Sequence, residues 1–129
     1  MRTSAAQLRA MVSEIELKYA ETDKKREAMR AERIRLTRDI PRLAQRVAEG
    51  KAKYEDEDVT RVLEPHEVMM LEQGSGDYDT AIERGDIEQE EYDEFIDEFG
   101  RASLVDKYHR MRAAKARLPV LEREMLEAF

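Results

Sequence analysis

The chain has 129 residues, the size of one ordinary domain. Charged residues make up 41% of it, against about 25% in an average globular protein, and 30 Asp and Glu outnumber 23 Lys and Arg for a net charge of −7. Five Gly and three Pro are too few for a turn-rich β-sandwich, and no stretch approaches the ~18 apolar residues of a membrane span. Zero Cys excludes disulfides, thiolate metal sites and a Cys nucleophile. That composition fits a reducing, cytoplasmic setting, and no apolar signal core opens the sequence.

Ala, Glu, Lys, Leu and Arg account for just over half of the residues, which is the composition of long helices and coiled coils. Ser4 followed three residues later by Gln7 reads as a capping box that opens a helix. From there Leu8, Val12, Ile15, Tyr19, Thr22, Arg26, Met29, Arg33, Leu36, Ile40, Leu43 and Val47 succeed one another at spacings of four and three. With Leu8 as heptad position d, the a positions are Val12, Tyr19, Arg26, Arg33, Ile40 and Val47. The phase persists for about 40 residues, which predicts a coiled-coil seam along a basic helix over 4–49. Thr22, Arg26 and Arg33 place polar groups at the middle of that seam, where they select register or partner at some cost in stability. Pro41 lacks the N–H that would bond the Thr37 carbonyl. The unbroken phase across it predicts a kink in preference to a second helix capped by Asp39 or Ile40, and Gly50 reads as the stop.

Residues 51–61, with Glu55-Asp56-Glu57-Asp58, read as a solvated connector. Pro65 suits the first turn of a short helix over Pro65 to Gln73, with Val68, Met69 and Leu71 as its apolar contacts. Gly74-Ser75-Gly76 is a break, and Asp79 can cap a helix that ends at Gly85. A further helix is predicted from about Ile87 to Phe99, where Tyr92, Phe95, Ile96 and Phe99 form one apolar stripe. Gly100 reads as its end and Ser103, followed by Asp106, as a new N-cap. The last helix then covers roughly 104–127, with Leu104, Tyr108, Met111, Leu118 and Met125 on a similar spacing and Pro119 as a second kink or break. The expected fold is one all-α unit. A long kinked coiled-coil helix (4–49) packs with a C-terminal helix (101–129), and an acidic connector with short helices (51–100) lies between them.

Charge is distributed unevenly. Residues 1–50 carry 12 basic and 8 acidic groups, residues 51–100 carry 4 and 18, and residues 101–129 carry 7 and 4. Such a basic–acidic–basic order points to charge-complementary contact within the fold, between copies or with a partner. Arg26 and Arg33 are thereby expected to meet carboxylates such as Asp93 or Glu94.

Gly85-Asp86-Ile87-Glu88-Gln89-Glu90-Glu91-Tyr92 resembles the turn of a SHOCT-type helical hairpin, whose pattern is G-x-I-T-x-E-E-F. The likeness covers about residues 78–99, and Glu88 stands where the pattern has its threonine cap. The resemblance implies an oligomerisation or interaction hairpin without catalysis.

Other motifs fail on inspection. Asp77 to Glu88 has the length and terminal acids of an EF-hand loop, but Ile82 stands where the sharp turn needs Gly and Ala81 and Arg84 are wrong for their positions. Asp106 and His109 have the spacing of a metal pair in a helical bundle, yet His66 has Leu63 at the equivalent position, so no second pair exists. No phosphate-binding loop, nucleophile elbow or H-E-x-x-H is present. These absences point away from an enzyme, a metal and a cofactor.

Interaction surfaces remain. The apolar seam residues Leu8, Val12, Ile15, Tyr19, Met29, Leu36, Ile40, Leu43 and Val47 predict self-association, with a dimer as the expected state. Tyr92, Asp93, Glu94, Phe95, Asp97, Glu98 and Phe99 are the expected docking surface for a protein partner. Eight carboxylates between Asp86 and Glu98 could alternatively mimic a phosphate array and occupy the basic site of a nucleic-acid enzyme. Arg30, Arg35, Arg38 and Arg42 could instead bind nucleic acid through its phosphates, without base stacking because no aromatic residue interleaves them. The sequence thus reads as a non-enzymatic adaptor, assembly factor or regulator, a look shared by small acidic helical proteins of virus assembly or host-enzyme inhibition.

Overall fold

The structure is a computed structural model in which residues 4–128 are described, all of them in helices or the turns that join them. The helices are α1 (Ala5–Lys53), α2 (Pro65–Gln73), α3 (Gly76–Arg84) and α4 (Gln89–Ala128). The long N-terminal helix packs on the C-terminal one, as the sequence predicts. Two compact units divide the chain. The first joins the α1 residues up to Thr37 with those of α4 from Ala116 onward, and the second comprises Arg38–Lys115.

The capping box forms as expected. Ser4 N–H donates to Gln7 Oε1 at 2.9 Å, and Gln7 N–H donates to Ser4 Oγ at 3.1 Å. In the first unit, α1 and α4 run antiparallel. Leu36 and Leu121 are buried, and polar groups fasten the pair on either side. The Arg26 guanidinium donates to the Ala128 carbonyl (2.9 and 3.1 Å), satisfying one of the orphan acceptors at the end of α4. Arg117 holds Glu32 at 2.7 Å and Glu124, two turns along its own helix, at 3.1 Å. Arg33 approaches Glu122 at 3.7 Å. The partners of the two seam arginines are thus Ala128 and Glu122 at the end of α4, where the charge order suggests Asp93 or Glu94.

Several predicted boundaries in the second unit are corrected. Gly50 is no stop, since α1 continues to Lys53 and ends with Lys51 and Lys53 beside its carbonyl terminus. Its lack of a side chain serves packing, because a Cβ there would lie 2.5 Å from Leu104 Cδ1. Gly100 and Ser103 mark no boundary either, and α4 is continuous from Gln89 to Ala128 through Pro119, just as α1 is continuous through Pro41. A Cβ at Gly100 would overlap the Tyr54 hydroxyl and stand 2.9 Å from Cζ, so this glycine also marks a close helix contact.

The connector is likewise not simply solvated. Tyr54 and Val59 are buried with Val47 and Leu104, and Tyr108 and Met111 pack against them. The Asp58 carboxylate builds the turn by accepting from Thr60 N–H (3.0 Å) and Thr60 Oγ1 (2.6 Å). Helix α2 has the predicted bounds, but Val68 and Met69 are exposed and its buried residue is Glu67. Gly74, at φ 76°, ends it. Helix α3 starts beyond Ser75, which leaves Asp79 inside the helix and not at its cap. Gly85 ends α3 in the left-handed conformation. Asp86 N–H reaches Ala81 O at 2.9 Å and Gly85 N–H reaches Ile82 O at 3.1 Å, the Schellman pattern.

Candidate functional site

Three surfaces carry the residues that the sequence singles out. The first is the seam. In the first unit Met29 is half-buried and Leu36 buried; in the second Ile40 and Leu43 are half-buried and Val47 buried. These five are used up inside the chain. The other four are not. Leu8, Val12 and Ile15 are each 52% exposed and Tyr19 is 68% exposed. They stand on the α1 segment that precedes Arg26, where the last described residue of α4 is Ala128. Met11, at 54% exposure, flanks the same stripe. No seam carbonyl or amide is left open there, because the segment is helical throughout. What it presents is purely side-chain, with apolar groups at a and d and Arg9, Glu16 and Asp23 at e.

The second surface is the α3–α4 hairpin. Its apolar stripe faces inward. Phe95 is buried and stacks on Tyr78 with ring centroids 3.6 Å apart, and Phe99 packs against Phe95 at 6.0 Å. Tyr92 Oη donates to Asp79 Oδ1 at 2.5 Å, and this hydrogen bond to a carboxylate raises the Tyr92 pKa above the usual phenol value. Sequence reasoning assigned Tyr92, Phe95 and Phe99 to an outward docking surface. α3 instead takes up two of them, Phe95 through Tyr78 and Tyr92 through Asp79, and Phe99 is half-buried against Phe95 of its own helix. The carboxylates stay outside. Asp93, Glu94, Asp97 and Glu98 are exposed, although Asp93 accepts from Gln89, Asp97 pairs with Arg101 at 3.0 Å and Glu98 meets His66 at 3.0 Å.

The third is the basic tract. Arg30, Arg35, Arg38 and Arg42 are all exposed, and Arg38 contacts Asp39 at 3.1 Å.

The sequence did not foreshadow the charge cluster that fixes the connector. Arg61 binds both oxygens of the buried Glu67 (2.6 and 2.8 Å) and also Glu57. Glu57 bridges to Arg101, which further holds Asp56 at 3.0 Å and lies 5.0 Å over the Tyr54 ring. Arg61 keeps the Glu67 carboxyl below the ordinary carboxylate range, and Arg101 does the same for Asp56. His109 Nε2 lies 2.7 Å from the Arg61 carbonyl, and His66 sits between Glu64 and Glu98. Both histidines are thus structural contacts at a loop. A lone Arg between two acidic runs was the one available sign of this cluster. Among the described residues no group of three or more His, Asp or Glu could hold a metal ion. No helix among them is long and apolar enough to cross a membrane.

No protein-family model matches the chain, and neither a curated protein nor a solved structure matches it.

Proposed function

We propose that the protein is a non-enzymatic helical interaction protein, an adaptor, assembly factor or regulator, which self-associates through the N-terminal segment of α1. One observation carries this reading. The heptad stripe that α4 covers from Met29 onward continues toward the N-terminus with the same apolar character, yet there Leu8, Val12, Ile15 and Tyr19 are more than half exposed. An exposed helix of this polarity has no intrinsic reason to keep four large apolar residues in register.

Magnitudes favour a reversible contact. Two copies would cover eight such side chains, already partly shielded by their own helix, for about 6–12 kcal/mol gross. Association costs at least about 4 kcal/mol, so the dimer is expected at micromolar affinity or weaker. Sedimentation velocity from 1 µM to 1 mM (on the order of the expected Kd and above) tests this. The wild-type protein should shift from monomer to dimer, while Ile15→Asp stays monomeric with its helicity retained. A wild-type chain that remains monomeric throughout would sink the reading.

A second reading concerns the hairpin. With Phe95 buried and Tyr92 and Phe99 half-buried, the exposed charged residues at the start of α4 are all carboxylates, Glu90, Glu91, Asp93 and Glu94. That favours a basic protein as partner, with mimicry of a phosphate array as the mode. Binding of such a partner should be competed by DNA and lost when Asp93 and Glu94 become Lys.

A further inference from the structure

Resting on the self-association reading above, we infer the orientation and register of the pair: the second copy lies antiparallel on α1, with Leu8 facing Tyr19 of the second copy and Val12 facing Ile15 of the second copy.

The first ground is continuity. Within the first unit α4 already reads this seam antiparallel, as the contacts of Arg26 with Ala128 and Arg33 with Glu122 require. A second α1 in the same direction takes up the stripe near Thr22, just beyond the end of α4. Its positive N-terminal pole then points toward the carbonyl end of α4, which is the favourable order of helix dipoles.

The second ground is charge. In an antiparallel pair e positions flank e positions. The register that sets Val12 against Ile15 of the second copy brings Arg9 beside Glu16 of the second copy, twice by symmetry. Neither residue forms an ion pair with another described residue, so both are available. The layers are Leu8 with Tyr19 and Val12 with Ile15, each occurring twice, closed at both ends by Ala5 with Thr22. The seam thus ends before Arg26.

A parallel pair also brings one favourable flanking contact, Lys18 against Asp23, twice by symmetry, and the position of α4 tells against it. It also leaves Arg9 opposite Ser4 and Glu16 opposite Met11. Both copies of α4 would moreover converge at one end, where each already occupies the seam from Arg26 onward.

The absence of cysteine makes the test clean. Full-length Leu8→Cys and Tyr19→Cys are mixed in a glutathione redox buffer and the disulfide-linked species are weighed by mass spectrometry. The mixed 8–19 species should dominate. Predominance of 8–8 and 19–19 species overturns the antiparallel register while leaving self-association standing, whereas a monomeric wild-type protein sinks both.

Charge exchange gives an independent readout. Arg9→Glu and Glu16→Arg should each raise the dimer Kd about two- to thirtyfold, because each disturbs two exposed pairs. The double exchange should return it to near the wild-type value. If the two effects add, the proposed register is wrong. All of these side chains are exposed in the monomer, so folding of the remaining chain is not at stake.

Discussion

Replacing Gly100 with Ala opposes two effects whose balance the structure decides. Glycine in a helix interior is about 1 kcal/mol less favourable than alanine, so helix propensity alone makes Gly100→Ala stabilising. Against this, the new methyl would overlap the Tyr54 hydroxyl and stand 2.9 Å from Cζ and 3.3 Å from Cε2. Tyr54 is buried and has Arg101 over its ring, so moving the ring away from α4 disturbs both its core packing and that contact. Overpacking of this kind costs about 1–3 kcal/mol, and more where a ring must leave its rotamer. With the tyrosine ring forced to shift, the cost lies at the upper end of that range and the net expectation is a loss of about 2 kcal/mol. Urea unfolding at constant m-value measures it. Gly76→Ala is the internal control, since nothing lies within 4 Å of its Cβ and its backbone φ is not in the left-handed region. That variant should gain about 0.4–1 kcal/mol. Adding Tyr54→Phe to Gly100→Ala removes the hydroxyl overlap but not the 2.9 Å contact, so rescue should be partial. If Gly100→Ala is as stable as wild type or more so, the close approach of Tyr54 to α4 is wrong.

Two further outcomes follow from the charge clusters. Arg61 holds the Glu67 carboxyl below the ordinary range and Arg117 does the same for Glu32, so both native pKa values lie below the unfolded ones. Their stabilisation is complete above the ordinary carboxylate range, begins to fall as pH drops into it, and is gone only below the depressed native values. Thermal melts should show Tm flat near neutrality and declining on acidification through that range. An increase there would contradict the assigned pairs. Glu67→Gln keeps the shape but removes the charge opposite Arg61, and should cost about 1–3 kcal/mol at neutral pH. It should also flatten part of the acid decline, which circular dichroism melts at several pH values would reveal.

The helical elements of this fold are legible in the sequence because local rules set them. Capping by Ser4 and Gln7, the long N-terminal helix, the Pro65 helix and the Gly85 stop each rest on a local rule that needs no partner. The errors cluster where one residue type has two uses. Gly50 and Gly100 read as helix ends in the sequence because glycine most often marks one. Here each makes room for a side chain from another segment, Leu104 and Tyr54, which no local window contains. The acidic connector was read as solvated for the same reason. The partner that draws Glu67 and Glu57 inward is Arg61, a single cation in a run of carboxylates, and its value depends on geometry and not on composition.

The polar seam positions show how the same stripe can serve two ends. Were Arg26 and Arg33 apolar, the heptad pattern would run unbroken from Leu8 to Val47 and any second helix could slide along it. Arg26 instead closes on the terminal carbonyl of α4, and Arg33 approaches Glu122. The Arg33–Glu122 pair is exposed and contributes only about 0–1 kcal/mol, and with the part-buried Arg26 hydrogen bond it selects the register of α4 on α1 more than it adds stability. In that register no described residue of α4 lies over the stretch from Leu8 to Tyr19, which is exposed. Polar groups in the middle of the seam therefore mark the boundary between a stretch covered within the chain and a stretch left exposed.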